Sequence, residues 1–301
     1  MAARGLLGAA LGAAAGLLLA GCGGEDKARP DFAFVSSRDG DYAIYEMNAD
    51  GGAEHRLTDI DPDASSPARL FFQVEPAWSP DGTKIAFSSR RGGTFDIYVM
   101  NGDGTGTRRL TSTKENDSHP TWSPDGSQLA FERNGDILVV GSDGSGARRI
   151  SDPGAEESEP AWSPDGTWIA YVRRPPGTPV REVWLMRPDG SGRHALTSGG
   201  AKAFTPAWAP DSTRIAFSSN ADGEVYELYT IGVDGKGLRS VTPTAGDMFE
   251  PSWSPDGSKI AYQEVGAIFT VELGGGDESL FSLSVSFSTS PVWNPASPPA
   301  E

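Results

Sequence analysis

One short motif recurs six times along this chain and constrains its fold more than any other feature. It combines a proline, a tryptophan two residues later and a turn sequence of the form Ser-Pro-Asp-Gly. The copies are PAWSPDG (76–82), PTWSPDG (120–126), PAWSPDG (160–166), PAWAPDS (206–212), PSWSPDG (251–257) and PVWNPAS (291–297). Successive copies begin 40–46 residues apart, which is the length of one propeller blade. The sequence therefore predicts a repeat protein built from such units.

Each unit has the pattern of an antiparallel sheet with four short strands. The Ser-Pro-Asp-Gly sequence predicts a tight hairpin, because Pro80 fixes φ at the first central position and Gly82 can adopt a positive φ. The tryptophan strand before this turn therefore pairs with the Ile-Ala-Phe strand after it. The third strand, as at 97–100, is apolar at every position, which is typical of a strand buried on both faces. A further turn leads to a short outer strand that ends in Leu-Thr, as at 110–111.

The two ends of the repeat region complete one blade between them. Residues 32–37 have the sequence of a second strand with no tryptophan strand before it, and 291–294 form a tryptophan strand with nothing after it. We expect the C-terminal strand to fill the inner position of the N-terminal blade, which closes the ring and leaves no long edge exposed. The predicted fold is all-β: a six-bladed β-propeller of four-stranded antiparallel blades over 32–297, followed by a tail at 298–301.

The first 21 residues have the pattern of a secretory signal. One positive charge, Arg4, precedes an apolar run that is short for a membrane-spanning helix. The sequence Leu-Ala-Gly-Cys at 19–22 resembles the lipobox of bacterial lipoproteins, which implies acylation of Cys22, the only cysteine in the chain. Residues 1–21 are thus predicted to be a lipoprotein signal peptide, and 22–31 a tether that joins the lipidated cysteine to the propeller. A plain signal peptide with a chance cysteine is the alternative.

Charge and composition exclude several classes of function. The chain has 25 basic and 41 acidic residues and a net charge of −16, whereas binding to nucleic acid needs a basic face. We therefore expect no nucleic-acid partner. A single cysteine excludes a disulfide framework and a cysteine-rich metal site. His55 and His194 occupy the same outer-strand position of different blades and His119 lies beside an inner strand, so we do not expect the three to share a metal.

Four residues are candidates for binding at the central channel. Glu75, His119, Glu159 and Glu250 each directly precede the motif proline of their repeat, which places them around the channel mouth. There they would attract a cation or a basic segment of a partner, because low-dielectric walls concentrate the negative potential. The alternative is that they are ordinary solvated charges that keep the protein soluble.

An acidic loop is the second candidate. Asp59, Asp61 and Asp63 copy the opening of a calcium loop, but Ala64 and Leu70 replace the glycine and the bidentate glutamate of an EF-hand. An irregular loop that holds a structural Ca²⁺ remains one hypothesis, and a solvated acidic loop is the other. We expect no other cofactor.

Proline, tryptophan and the Ser-Pro-Asp-Gly turn at fixed spacing over 32–297 resemble the repeats of the TolB propeller family. The resemblance implies a monomeric, non-enzymatic propeller that binds a protein partner in the bacterial cell envelope. Together with the lipobox, it predicts an extracytoplasmic lipoprotein held at a membrane by its lipid anchor. A propeller that binds or cleaves a glycan or small ligand in its central channel, as polysaccharide lyases and hydrolases do, is the alternative.

Overall fold

The computed structural model describes residues 30–59, 73–242, 246–273, 278–281 and 288–297. Within these ranges the chain forms six four-stranded antiparallel sheets, so the predicted all-β, six-bladed propeller is confirmed. Among the described residues, no helix has the length and apolar character needed to span a membrane. The predicted signal peptide, Cys22, Asp61, Asp63 and the tail at 298–301 lie outside the described residues.

In the described part of the chain, twenty-four strands, named in chain order, form the blades. The first two complete blades contain β4 (Gln73–Trp78), β5 (Lys84–Ser89), β6 (Asp96–Asn101), β7 (Arg108–Arg109), β8 (Asp117–Trp122), β9 (Gln128–Arg133), β10 (Asp136–Gly141) and β11 (Arg148–Arg149). The next three contain β12 (Glu156–Trp162), β13 (Ile169–Arg174), β14 (Glu182–Met186), β15 (His194–Ala195), β16 (Ala203–Trp208), β17 (Arg214–Ser219), β18 (Glu227–Gly232), β19 (Arg239–Ser240), β20 (Met248–Trp253), β21 (Lys259–Glu264), β22 (Ala267–Glu272) and β23 (Glu278–Phe281). The remaining blade combines β1 (Phe32–Ser36), β2 (Ala43–Met47), β3 (His55–Arg56) and β24 (Ser288–Trp293).

The ring closes by the predicted exchange of a strand between the chain ends. Strand β24 pairs antiparallel with β1, with Phe32 opposite Trp293 and Ala33 opposite Val292. The rings of Phe32 and Trp293 lie 3.8 Å apart between centroids, and the Asn294 amide donates to the Asp31 carbonyl oxygen at 2.7 Å. The N-terminal and C-terminal segments of the propeller therefore hold one blade together.

The Ser-Pro-Asp-Gly turns owe their shape to a carboxylate that accepts several hydrogen bonds. In the first of these turns, Asp81 Oδ1 accepts from the Ser79 hydroxyl at 2.6 Å and from the Thr83 amide at 3.1 Å. The hydrogen bond from Ser79 lowers the pKa of Asp81, because it stabilises the charged form. Gly82 has a φ of 64°, and a Cβ there would lie 2.3 Å from Asn294 Oδ1, so only glycine fits.

The hydrophobic core lies between neighbouring blades. One of its clusters joins Ile97 and Val99 of β6 to Leu129 and Phe131 of β9 in the next blade. Burial of third strands on both faces, predicted from their uniform apolarity, is therefore confirmed. Because no blade could bury its two faces alone, stacking around the ring supplies the core.

The outer strands end earlier than the sequence suggested. In the blade of β4–β7, the last strand contains only Arg108 and Arg109, and the Leu-Thr pair at 110–111 follows it. The side chain of Thr111 explains the difference, since its Oγ1 accepts from the Ile97 amide at 3.0 Å. A side-chain hydrogen bond thus takes the place of the next backbone bond of the ladder.

Candidate functional site

The six inner strands surround a central cavity of about 370 Å³. Its wall consists of the segments that run from the residue before each motif proline to the motif tryptophan, together with Pro164 and Pro295. Glu75, His119, Glu159 and Glu250 all line it, so the structure brings the four predicted channel residues together in one cavity. Whether they bind a cation or a partner stays a prediction.

The backbone has the same unusual conformation at the corresponding residue of every blade. These residues are Glu75 (φ 58°), His119 (φ 51°), Glu159 (φ 53°), Thr205 (φ 49°), Glu250 (φ 57°) and Ser290 (φ 51°), which we call the channel ring. Residues other than glycine rarely adopt a positive φ. Here it accompanies a β-bulge, because the pairing register shifts around this residue and the proline that follows, as between Val74 and Ala77. The bulge is thus a property of the fold and is independent of the side chain.

Most side chains of the channel ring join one blade to the next. Glu75 Oε2 accepts from the His119 amide at 2.7 Å, and Glu159 Oε2 accepts from the Thr205 amide at 2.5 Å. Thr205 Oγ1 accepts from the Glu250 amide at 3.2 Å. Glu250 in turn accepts from the Ser290 amide at 2.5 Å and from its hydroxyl at 3.0 Å. These links satisfy amides that the bulges turn away from their own sheets.

His119 is held between two carboxylates. Its Nε2 lies 3.2 Å from Glu75 Oε1, and its Nδ1 lies 3.3 Å from Glu132 Oε2. The Ser88 hydroxyl also donates to Glu75 Oε2 at 2.8 Å. Glu132 and Ser88 lie at the same register position on second strands, opposite Ser118 and Val74 respectively. The blade of β8–β11 therefore places a carboxylate where its neighbour has a hydroxyl.

The electrostatics of the cavity favour a charged imidazole. Desolvation alone would lower the pKa of His119, but the negative charges of Glu75, Glu132 and Glu159 outweigh it and raise this pKa to about 10. Removal from water raises the pKa of Glu159 and that of Glu250, against the lowering effects of His119 and of the amides that they bind. At neutral pH, His119 is therefore a cation among carboxylates.

The two other histidines, which were not expected to share a metal with His119, do not line this cavity. His55 and His194 lie on the outer strands β3 and β15, as expected from their repeat positions. Asp59 is exposed, and the rest of the proposed calcium loop lies outside the described residues. Within the described ranges, no group of three or more His, Cys, Asp or Glu side chains has an arrangement that could hold a metal ion.

A larger groove of about 650 Å³ lies on the opposite face, between the blades of β4–β7 and β8–β11. Its acidic residues include Asp81, Asp125 and Asp143, whose carboxylates accept hydrogen bonds from their own turns. The groove thus follows from the turn chemistry of adjacent blades, and the central cavity is the better candidate for a functional site.

Sequence reasoning missed three residues of this site. Thr205 and Ser290 complete the channel ring, but a search for charged residues passes over them. Glu132 lies on the second strand, and its role depends on the register that places it opposite Ser118. Alignment of the repeats would have shown Thr205 and Ser290, because they occupy the position of Glu75, whereas Glu132 occupies the position of Ser88 and gives no such signal.

Comparison with known proteins supports the interpretation of the repeats. Residues 69–203 match the family model described as TolB beta propeller domain. Tol-Pal system protein TolB of Syntrophus aciditrophicus is 43% identical over 49 residues, which are 16% of this chain and 10% of that protein. The TolB of Anaeromyxobacter dehalogenans (strain 2CP-C) is 51% identical over 35 residues, or 12% of this chain and 8% of that protein. The matched segments therefore span a tenth or less of these relatives.

Solved structures agree on the fold. TolB from Acinetobacter baumannii superimposes with a TM-score of 0.73 at 21% identity, over 88% of this chain and 66% of that one. A chain of a nidogen/laminin complex gives a TM-score of 0.70 at 10% identity, over 88% of this chain and 98% of that one. At these identities the similarity shows the fold alone. The recurring motif and the six four-stranded blades identify the chain as a six-bladed β-propeller, whose repeats over 69–203 are similar to the TolB beta propeller domain.

Proposed function

We propose that this protein is a non-enzymatic protein-interaction scaffold of the bacterial cell envelope, held at a membrane by a lipid on Cys22. The observation that carries the proposal is the central cavity of a TolB-type propeller with carboxylates and a charged imidazole in its wall. Similarity to proteins of the Tol-Pal system supports an envelope partner. The lipobox at 19–22 supports the anchor and the extracytoplasmic location.

The charge of the cavity indicates the kind of partner. Glu75, Glu132, Glu159 and Glu250 carry four negative charges in their ionised forms, against one positive charge on His119. A carboxylate has about four acceptor sites, so the bonds to the next blade leave capacity for a ligand. A basic segment of a partner fits this excess of acceptors, and electrostatic attraction would also speed its approach.

The path of the chain suggests how the propeller is oriented. Pro30 lies beside the C-terminal turn, where its carbonyl oxygen accepts from Asn294 Nδ2 at 3.3 Å and from the Ser297 hydroxyl at 3.2 Å. The tether therefore joins the face that carries the Ser-Pro-Asp-Gly turns. At ~3.3 Å per residue the nine residues 23–31 would reach about 30 Å, which keeps this face toward the membrane and the blade-to-blade loops away from it.

Recovery of partners from native membranes tests the proposal. The full tagged chain is cross-linked in cells and purified, either as wild type or as the triple variant Glu75→Gln, Glu159→Gln and Glu250→Gln. The matched control is Asp103→Asn, Asp143→Asn and Asp234→Asn, which removes three exposed charges from turns on the opposite face. We expect the channel variant to lose most of the recovered partner, and the control to keep it.

A second arm tests the anchor. Cys22→Ser should lose the label of an acyl-chain probe and leave the membrane fraction. Equal recovery of partner from the two triple variants would rule out the channel as the binding site. Continued acyl labelling of Cys22→Ser would rule out the lipid anchor.

A further inference from the structure

Three aromatic side chains form a continuous row beside one part of the channel ring. Tyr226 packs edge-on against Phe204, with ring centroids 5.5 Å apart, and its ring lies tilted against that of Phe249 with centroids 5.2 Å apart. All three are only partly buried. Phe204 and Phe249 directly precede Thr205 and Glu250, so this aromatic row lies next to the channel ring, on the face away from the Ser-Pro-Asp-Gly turns.

The other blades show that the fold does not require this row. The residues that precede the channel ring elsewhere are Val74, Ser118, Ser158 and Thr289. Those blades form the same bulge and the same sheet without an aromatic ring at this position. Partly exposed aromatic residues that the architecture does not need are typical of an interaction surface.

A strained apolar residue is exposed on the same face of the propeller. Val265 and Gly266 form the two-residue turn between β21 and β22, and Val265 is 88% exposed with a φ of 47°. A positive φ is a true outlier for a β-branched residue. The corresponding turn between β9 and β10 contains Asn134 and Gly135, a pair that suits such a turn. Val265 thus combines backbone strain with an apolar side chain in water, and neither stabilises the fold.

The charge around the row is negative. Lys202 is one base, two residues before Phe204, whereas segments 220–227 and 246–250 contain five acids and no base. They are Asp222, Glu224, Glu227, Asp247 and Glu250. Arg181 lies 5.2 Å from the centroid of Phe204, but its guanidinium also donates to Glu156 at 3.1 Å, so a neighbouring carboxylate offsets its charge.

We propose that the aromatic row and Val265 bind a linear peptide segment of the partner in which a bulky apolar side chain stands next to a lysine or arginine. The proposal rests on the proposed function and assigns the partner's anchor to one part of the ring. The apolar side chain would pack on Tyr226 and Phe249, and the cation would face the surrounding carboxylates. A sugar fits less well, because these rings meet at 71° and 40° and so present no common flat face for stacking.

Selection from a random peptide display library on the purified full chain tests this proposal, with a glycan array as the parallel probe. We expect the selected peptides to pair Phe, Trp or Leu with an adjacent Lys or Arg. Binding of these peptides should weaken about tenfold or more in Phe249→Ala, which is about 1.4 kcal/mol. It should weaken about threefold in Val265→Asn.

Val265→Asn separates binding from folding, and Asn134→Val is its matched control. Asparagine adopts the positive φ more readily, so Val265→Asn should melt about 2–4 °C higher than wild type while it binds peptide less well. Asn134→Val should melt lower and bind peptide normally.

The proposal would be overturned by peptides that bind Phe249→Ala and Val265→Asn as tightly as wild type. It would also be overturned by a selection that yields no peptide, or by binding on the glycan array when no peptide is selected. If binding is lost only in the triple channel variant, the aromatic row is excluded while the proposed function stands.

Discussion

The two sides of the channel ring use one backbone conformation for different chemistry. On one side, which we call the charged arc, Glu75 and Glu132 enclose a protonated His119. On the other, the hydroxyl arc, Thr205, Glu250 and Ser290 form a chain of hydrogen bonds from blade to blade, with the aromatic row beside it. The positive φ and the bulge are common to both. The comparison indicates that the bulge belongs to the architecture, and that each blade can carry a different functional group on it.

Opening the ring should have the largest effect, because both arcs depend on closure. Ending the chain after Ser290 removes Trp293 and its contact with Phe32. Loss of a buried tryptophan alone destabilises a core by about 3–5 kcal/mol, which is a large part of the stability of an ordinary domain. We expect the truncated chain to melt far below wild type or to remain unfolded in circular dichroism. Leu238→Ser, at an exposed site, is the control, and a wild-type melting temperature for the truncation would refute the closure.

The second prediction separates the arcs by the charge that each one needs. Glu75→Gln leaves an acceptor for the His119 amide but removes the negative charge beside the His119 ring. We therefore expect the free energy of unfolding to fall by about 2 kcal/mol. Glu250→Gln keeps an acceptor for Ser290 and relieves a desolvated carboxylate, whose pKa burial has raised. Glu250→Gln should change the free energy of unfolding by no more than about 0.5 kcal/mol. Urea unfolding of both variants measures the difference, and equal losses would mean that the imidazolium is not held by charge.

The third prediction concerns how the free energy of unfolding depends on pH through one titrating residue in each arc. The folded pKa of His119, about 10, lies above its ordinary value of 6.5. Its contribution to stability is therefore complete below pH 6.5 and is lost as the pH rises through 10. Solvent screens part of this contribution because the side chain is one-third exposed. We therefore expect the free energy of unfolding to fall by about 1 kcal/mol as the pH rises from 6.5 to 10.

The measurement is the free energy of unfolding of wild type and of His119→Gln between pH 6 and 10. Only wild type should show the decline due to this group, and parallel curves would contradict the prediction. On the acid side the hydroxyl arc responds in the same sense, because the pKa of its carboxyl group is also raised in the folded state. Burial raises the pKa of Glu250, so lowering the pH through this pKa removes a destabilising charge, and Glu250→Gln should lack that gain.

The sequence predicts the fold well where the structure depends on local chemistry. Pro80, Asp81 and Gly82 specify their hairpin by themselves, and an unpaired strand sequence at each end predicts the closure. The channel was predictable only as a set of charges near a proline. Its working contacts depend on the strand register that brings Glu132 to His119, and on neighbouring blades whose amides occupy the carboxylates. The contact of Glu132 with His119 depends on the pairing of two strands of one blade, and the hydrogen bonds to the amides join different blades, so the pattern of a single strand reports neither.

The smallest predicted effect concerns one link of the hydroxyl arc. Thr205 Oγ1 accepts from the Glu250 amide at 3.2 Å and lies 3.3 Å from the Ser218 hydroxyl. Thr205→Val keeps the β-branched shape and the strained φ, so it removes the hydroxyl without altering the backbone preference. The Glu250 amide then loses its acceptor, and since the site is only partly buried, water can replace part of the bond. We expect the free energy of unfolding to fall by about 0.5 kcal/mol, with Thr205→Ser close to wild type because it keeps the oxygen.

Hydrogen exchange at the Glu250 amide gives the sharper readout. Exchange there should accelerate in Thr205→Val alone, while the His119 amide in the charged arc exchanges as in wild type. Faster exchange at both amides would show that the two arcs open together and are not independent.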